Sequence, residues 1–406
     1  MLSKIKKLGP GLLFAGAAIG VSHLVQSTRA GADYGWGLLW ALLLVNLFKY
    51  PFFQFGPRYA LATGESLLDG YFKLGKGYLW IYFFLNIATM FTIQTAVTIV
   101  TAGLASNLFG ISSNMIYWSI AVTAICYSIL LIGRYQLLDK VIKVIIITLT
   151  ISSILAVLIA FSKEGTPIGL TQVFPQEAGL LFVIAFMGWM PAPIDISIWH
   201  SIWVLEKKND LKNKFSLKEG LFDFNVGYLT TVFLGVCFVG LGALVMFGSG
   251  LEFSNKGNIF AGQLIDLYTS NLGDAAYGII AIAALTTMVS TTITTLDASP
   301  RAMSKTIQLL FHKKNKDFYL IWITILAIGT CLIFLFLLSE MGLLVQIATV
   351  LSFLTAPFYA LLNYRLVTSN HMPNKDKPSQ KIKILSISGI IFLTGFTFVY
   401  LLRLLI

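Results

Sequence analysis

Charge is what this sequence has least of. Only 18 of its 406 residues are acidic and 29 are lysine or arginine, so 12% of the chain is charged against 57% hydrophobic. So little polar surface cannot cover a soluble globule, and the soluble classes are excluded. Cysteine is scarce as well. Cys126, Cys237 and Cys331 all fall in apolar stretches without metal-ligand spacing, which makes them packing residues and leaves the redox compartment open. No phosphate-binding loop, paired-carboxylate motif or soluble ATPase segment is found, so the chain reads as neither an enzyme nor a primary pump. Long polar loops are missing too; the longest, near 206–220 and 366–383, are basic and too short to fold alone.

What is present is a succession of apolar stretches long enough, at roughly 20 residues each, to cross about 30 Å of hydrocarbon. Eleven are expected, near 10–31, 36–60, 77–109, 115–133, 138–161, 179–204, 222–248, 273–298, 318–338, 342–366 and 384–405. Lys4, Lys6 and Lys7 precede the first, but no small-residue cleavage site follows, so it is kept as a span rather than a signal peptide. Residues 1–406 thus read as one all-α polytopic membrane domain. The net charge of +11 is distributed by loop: 24 of the 29 basic residues fall on the N-terminal side, four on the other, and Lys49 lies inside the second span. That pattern points to a lipid bilayer, not nucleic acid, with the N-terminus cytoplasmic and the C-terminus, after eleven crossings, outside.

Spans one to five and six to ten would then have opposite topology, giving inverted repeats at about 10–161 and 179–366 with an extra helix at 384–405. Both repeats begin with an interrupted span. The first carries Gly16, Gly20, Ser22 and His23; the sixth carries "AFMGWMPAPIDISIWHS", with Gly188, Pro191 and Pro193. Two prolines remove backbone donors and clash with the preceding turn, so the sixth span is expected to unwind near 190–194. Non-helical backbone at membrane depth is tolerated where it faces protein or a wet cavity, which makes the two breaks a candidate ion or substrate site.

These stretches resemble the NRAMP divalent-metal transporters, a LeuT-fold family. "GPGLLFAGAAIGVSHLVQSTRAGADYGWGLLW" is similar to that family's first helix, "NLFKYPFFQFGPRYALATGESL" to its second, "LASNLFG" to the end of its third, "LLDKVIKVII" to the start of its fifth, "MPAPIDISIWHS" to its sixth and "STTITTLDA" to its eighth. The resemblance covers nearly the whole chain and implies a LeuT-like fold with helices 1 and 6 unwound. The ligand motifs differ. The family's Asp-Pro-Gly-Asn falls on Gly20, Val21, Ser22 and His23, and its Met-Pro-His on Met190, Pro191 and Ala192, or on Asp195 for the His when counted back from His200. Its third-helix acids fall on Gln94 and Val97, its tenth-helix Gln on Ala348, and the paired arginines of its ninth helix are absent.

Residue by residue, Asp195 is the leading ligand candidate, since a carboxylate at that depth is costly unless paired or hydrated; the alternative is a cap on the outgoing half-helix. His23, Asp195 and Met190 would give a mixed N, O, S set for Mn, Fe or Zn, with Ser22 and backbone carbonyls near Gly20 and Pro191 completing it. His23 reads equally as a packing residue. His200 and Gln94 are pathway candidates. Lys49 is expected to pair with an acid such as Asp195 or Asp297, or else its ammonium replaces a coupling cation. Ser290, Thr291 and Thr294 would serve a sodium site, the alternative being bonds to their own helix. The expectation is a secondary transporter importing a divalent cation of the Mn or Fe class through a plasma membrane, the bacterial inner membrane, without cofactor or obligatory protein partner. A small organic solute on a differently coupled carrier is the rival cargo, and a non-transporting sensor or scaffold the rival class.

Overall fold

The structure is a computed structural model that describes residues 9–132, 135–162, 169–176, 178–210, 215–250, 253–273, 277–313, 316–337 and 340–405. Among these the regular structure is entirely helical. The chain forms α1 (Pro10–Ala18), a π-helical turn (Ser22–Ser27), α2 (Thr28–Tyr34), α3 (Leu39–Thr63), α4 (Leu67–Leu74), α5 (Lys76–Phe109), α6 (Met115–Ile132), α7 (Tyr135–Ser162) and α8 (Ala178–Trp189). There follow α9 (Ile196–Asp210), α10 (Leu217–Val245), α11 (Gly257–Leu272), α12 (Tyr277–Leu310), α13 (Tyr319–Phe336), α14 (Met341–Thr368) and α15 (Gln380–Leu405).

Helices fall within the expected spans, with breaks in the first and sixth. Among the described residues seven helices are long and apolar enough to cross a membrane alone, and α1 with the helical residues from Ser22 to Tyr34 makes an eighth bent by 48°. Of the other three, α3 carries Asn46, Lys49, Gln54 and Arg58, the sixth span is divided into α8 and α9, and Ile147–Ser162 of the fifth is apolar but shorter than the length counted. Two further helices lie outside the expected spans. Ser66 and Asp69 form a capping box that starts α4, each bonding the other's backbone N–H, and α11 lies in what reads as loop. The eighth span also runs further than expected, through Pro300 to Leu310.

Burial sorts the helices into layers. Of the apolar windows of α5 and α12, 61% and 72% are buried, against 22%, 28% and 17% for α6, α13 and α15. The first pair is the centre of the bundle; the second group turns isoleucine, leucine and phenylalanine outward, as only a lipid-facing surface allows. Glycine sets how closely the first span lies on α10. A Cβ at Gly227 would collide with the Gly11 carbonyl oxygen, and one at Gly31 with that of Val239. The glycines that interrupt the apolar run thus serve in part to let backbones touch.

Candidate functional site

The first span stops being α-helical at Ala18 and resumes as a π turn at Ser22. The carbonyls left over at a helix end need other donors. Ser22 Oγ lies 2.6 Å from the Ala18 oxygen and 3.3 Å from the Pro191 oxygen, so one hydroxyl touches both broken spans. Thr291 Oγ1 of α12 lies 3.2 Å from the Gly16 oxygen and 3.4 Å from that of Ile19, besides bonding back to Thr287 in its own helix. Gly20 is held against that threonine: a Cβ there would sit 2.8 Å from Thr291 Cγ2.

In the sixth span α8 ends at Trp189 and α9 begins at Ile196, with Pro191 and Pro193 in the gap. Lys49, fully buried, crosses from α3 to this gap. Its Nζ donates to the oxygens of Met187 and Gly188 at 2.7 Å and of Ala192 at 3.2 Å. The expected pairing of Lys49 with Asp195 or Asp297 is therefore corrected, because the unwound backbone offers three carbonyls within reach. Asp297 is held elsewhere, by Arg301 Nε at 2.6 Å and the Tyr319 hydroxyl at 2.6 Å.

Between the breaks lies a cavity of about 20 Å³, room for a molecule the size of water. Ala18, Val21, Ser22, Ala192, Pro193 and Ile196 come from the broken spans, Ile93 and Val97 from α5, Thr291 and Thr295 from α12, with the indoles of Trp189 and Trp199. Of the cargo candidates Ser22 lies there, but His23, Met190 and Asp195 do not. His23 points to α10, its Nε2 2.9 Å from the Thr231 oxygen and its Nδ1 2.7 Å from Ser22 Oγ and 3.1 Å from the Ala18 oxygen. Met190 sends its sulfur toward α10, 3.4 Å from where a Cβ on Gly235 would stand. Asp195 is buried with Oδ1 unpartnered, outside the lining. His200 stacks on Phe14 at 5.6 Å between centroids, with neither ring nitrogen partnered. Among the described residues no three His, Cys, Asp or Glu side chains cluster as a metal site would.

Gln94 is fixed to α12: Thr295 Oγ1 donates to its Oε1 at 2.7 Å, and its own amide reaches Thr98 Oγ1 at 3.2 Å. Thr294 bonds back to the Ser290 oxygen at 2.8 Å, while Ser290 Oγ has no partner. Sequence reading misses a second polar group below the cavity. Tyr82, Asn86 and Tyr359 are buried with their side-chain polar atoms unpartnered, and so is the Trp199 indole N–H. Tyr82 packs on Tyr359 at 6.2 Å and on Tyr71 at 6.4 Å, and all three tyrosines lie in the field of Asp195. The spacing Tyr82, Asn86, Ile93, Val97 is helical, so this group and the cavity share one face of α5.

An ionic cluster joins α12 to α9 and α4. Arg301 bonds Asp297 at 2.6 Å within α12 and Glu206 of α9 at 3.1 Å, and Lys305 reaches Asp69 of α4 at 2.9 Å. Burial raises the Glu206 carboxyl above its ordinary pKa, against the pull of Arg301. The i, i+4 spacing of Asp297 and Arg301 is the sequence signal for this cluster, hidden by ending the eighth span at residue 298.

Known proteins share both this sequence pattern and this architecture. An uncharacterized protein of Pasteurella multocida is 39% identical over 406 residues, covering 98% of this chain and 92% of its own. The Eremococcus coleocola manganese transporter, solved in mutant form, superposes with a TM-score of 0.75 at 15% identity, covering 97% of this chain and 85% of that one. A nucleobase-cation-symport-1 family transporter, Mhp1, closed with bromovinylhydantoin bound, gives 0.63 at 13% identity over 96% and 91%. At such identities these two establish the fold, a LeuT-like membrane architecture. The Nramp description, natural resistance-associated macrophage protein-like, matches residues 11–403, and the chain belongs to the Nramp family.

Proposed function

We propose that the chain is a secondary transporter working by alternating access, with its cargo held between the breaks of the first and sixth spans. The carrying observation is the small cavity between those breaks, where Ser22 reaches the carbonyls of both spans. In this reading residues 1–406 form one transport unit of two inverted halves, 10–161 and 179–366, followed by 384–405. The basic loops put the N-terminus in the cytoplasm and the C-terminus outside a plasma membrane, the bacterial inner membrane. No cofactor, catalytic step or obligatory protein partner is part of it.

A divalent cation of the Mn or Fe class is the cargo that membership of the Nramp family supports, together with the fold shared with a manganese transporter. Asp195 is then the anionic ligand, because its Oδ1 is buried beside the break and unpartnered. His23 and Met190 would have to turn from α10 to join it. On cargo, family and cavity part company. The rival cargo, a small organic solute, draws on the lining, which has two tryptophans and three hydroxyl residues but no carboxylate, imidazole or sulfur, and it requires the water-sized cavity to widen in another state of the carrier.

Isothermal titration of the purified chain with Mn²⁺, then Zn²⁺ and Mg²⁺, separates the two. Saturable binding that disappears in Asp195→Ala establishes the metal site. Silence with all three ions in folded protein removes the metal reading and leaves the organic solute.

A further inference from the structure

The amine of Lys49 sits where broken transporter helices ordinarily hold an ion. The last carbonyls of a helix lack intrahelical donors and carry the negative end of its dipole, so the end of α8 attracts a cation. Half-helix ends and unwound carbonyls are the groups that coordinate coupling cations in carriers with discontinuous helices. Here Met187, Gly188 and Ala192 direct three such oxygens at one point, and the Lys49 ammonium fills it with its three N–H donors. Among the described residues no carboxylate lies within ion-pairing distance of it, though Asp195 acts on it from across the break. The contact is thus ammonium on carbonyl oxygen.

A second observation points the same way. Of the three hydroxyls of the eighth span that could serve a sodium ion, two are engaged with backbone, Thr291 with Gly16, Ile19 and Thr287 and Thr294 with Ser290, while Ser290 Oγ has no partner. The free carbonyls of the first break already have the donor that a cation would replace.

We infer that Lys49 is a tethered cation. Its ammonium occupies a carbonyl cage that would otherwise take a monovalent alkali ion, and the carrier holds its sixth span together without a coupling sodium ion. The inference rests on the transporter reading and adds to it the class of coupling ion that the protein has made unnecessary.

The test is the thermal unfolding of the purified full-length chain, titrated with NaCl against choline chloride at constant ionic strength. The unmodified protein is expected to show no saturable sodium response, since the cage is filled. Lys49→Ala is expected to unfold several degrees lower in choline and to regain part of that loss, saturably, with Na⁺, K⁺ or Li⁺, because the emptied cage binds the ion in the folded state alone. Lys49→Met, which keeps the bulk of the stem without the ammonium, serves if the alanine variant fails to fold. Saturable stabilisation of the unmodified protein by sodium overturns the inference and needs no variant. A folded Lys49 variant indifferent to all three ions overturns it as well. Unfolding reads ion binding and not cargo movement, so failure here leaves the transport reading standing, and absence of uptake leaves the cage standing.

Discussion

Buried polar atoms without partners are expensive, and several of them here, on Tyr82, Asn86 and Tyr359, fall in one group. An amide or hydroxyl removed from water without a hydrogen bond costs about 1–3 kcal/mol by mutational measure. Asn86 is fully buried with both ends of its amide unpartnered, one turn from Tyr82 and on the same face of α5 as the cavity lining. If the residue served packing alone, Asn86→Leu would be neutral or stabilising. We expect its unfolding temperature to be unchanged or higher while uptake into proteoliposomes falls at least tenfold; uptake at the normal rate would show that Asn86 has no part in transport. At this scale the sequence is partly legible. Asp195 and Lys49 can be singled out because charge inside an apolar run is rare, but the partner of Lys49 cannot, since carbonyls carry no signature in a sequence. His23 is ambiguous for a related reason: an imidazole is equally a ligand and a hydrogen-bonded packing group, and the sequence does not show that its Nε2 lies against the Thr231 carbonyl.

Among elements, the broken helices are the most legible because proline has a local mechanical effect. Pro191 and Pro193 place the sixth break to within a residue or two of the observed gap from 190 to 195. The helices α4 and α11 escape notice for want of apolar length, although Ser66 and Asp69 spell a capping box. The first span is legible as interrupted, but not the whole cause of its glycines. Gly11 and Gly31 serve contact with α10, and there the structure gives a sharp expectation. Gly227→Val puts a side chain where the Gly11 carbonyl stands, and backbone cannot yield as a side chain can. The cost should reach the upper end of the range for overpacking, about 3 kcal/mol, read as a lower unfolding temperature in detergent. Gly64→Ala, at a position with open space and φ +77°, should cost less, through backbone strain alone.

For the whole molecule, the ionic cluster ties three helices together. Arg301 links α12 to α9 through Glu206, and Lys305 links α12 to α4 through Asp69. Any motion that separates α12 from α9 and α4 must part them. Removing Arg301 leaves Asp297, which is nearly buried, with Tyr319 as its donor and Glu206 without its cation. A loss of about 1.4 kcal/mol of closing free energy changes the open fraction tenfold. In Arg301→Gln we therefore expect a Ser201→Cys probe, placed at a buried position on α9, to react with a hydrophilic thiol reagent about ten times faster than in the unmodified background. Equal rates would show that the cluster is ornament rather than latch. An eighth span that ends before Arg301 conceals this latch from a reading of the sequence.

The glycine contacts also bear on how the first span can move. α10 touches it on both sides of the break, at Gly11 before the fracture and at Gly31 after it. A bone set against a splint in this way does not flex where it was broken. Close contact on both sides of the bend at residues 19–20 means that straightening the first span would have to break its packing on α10, or carry α10 along.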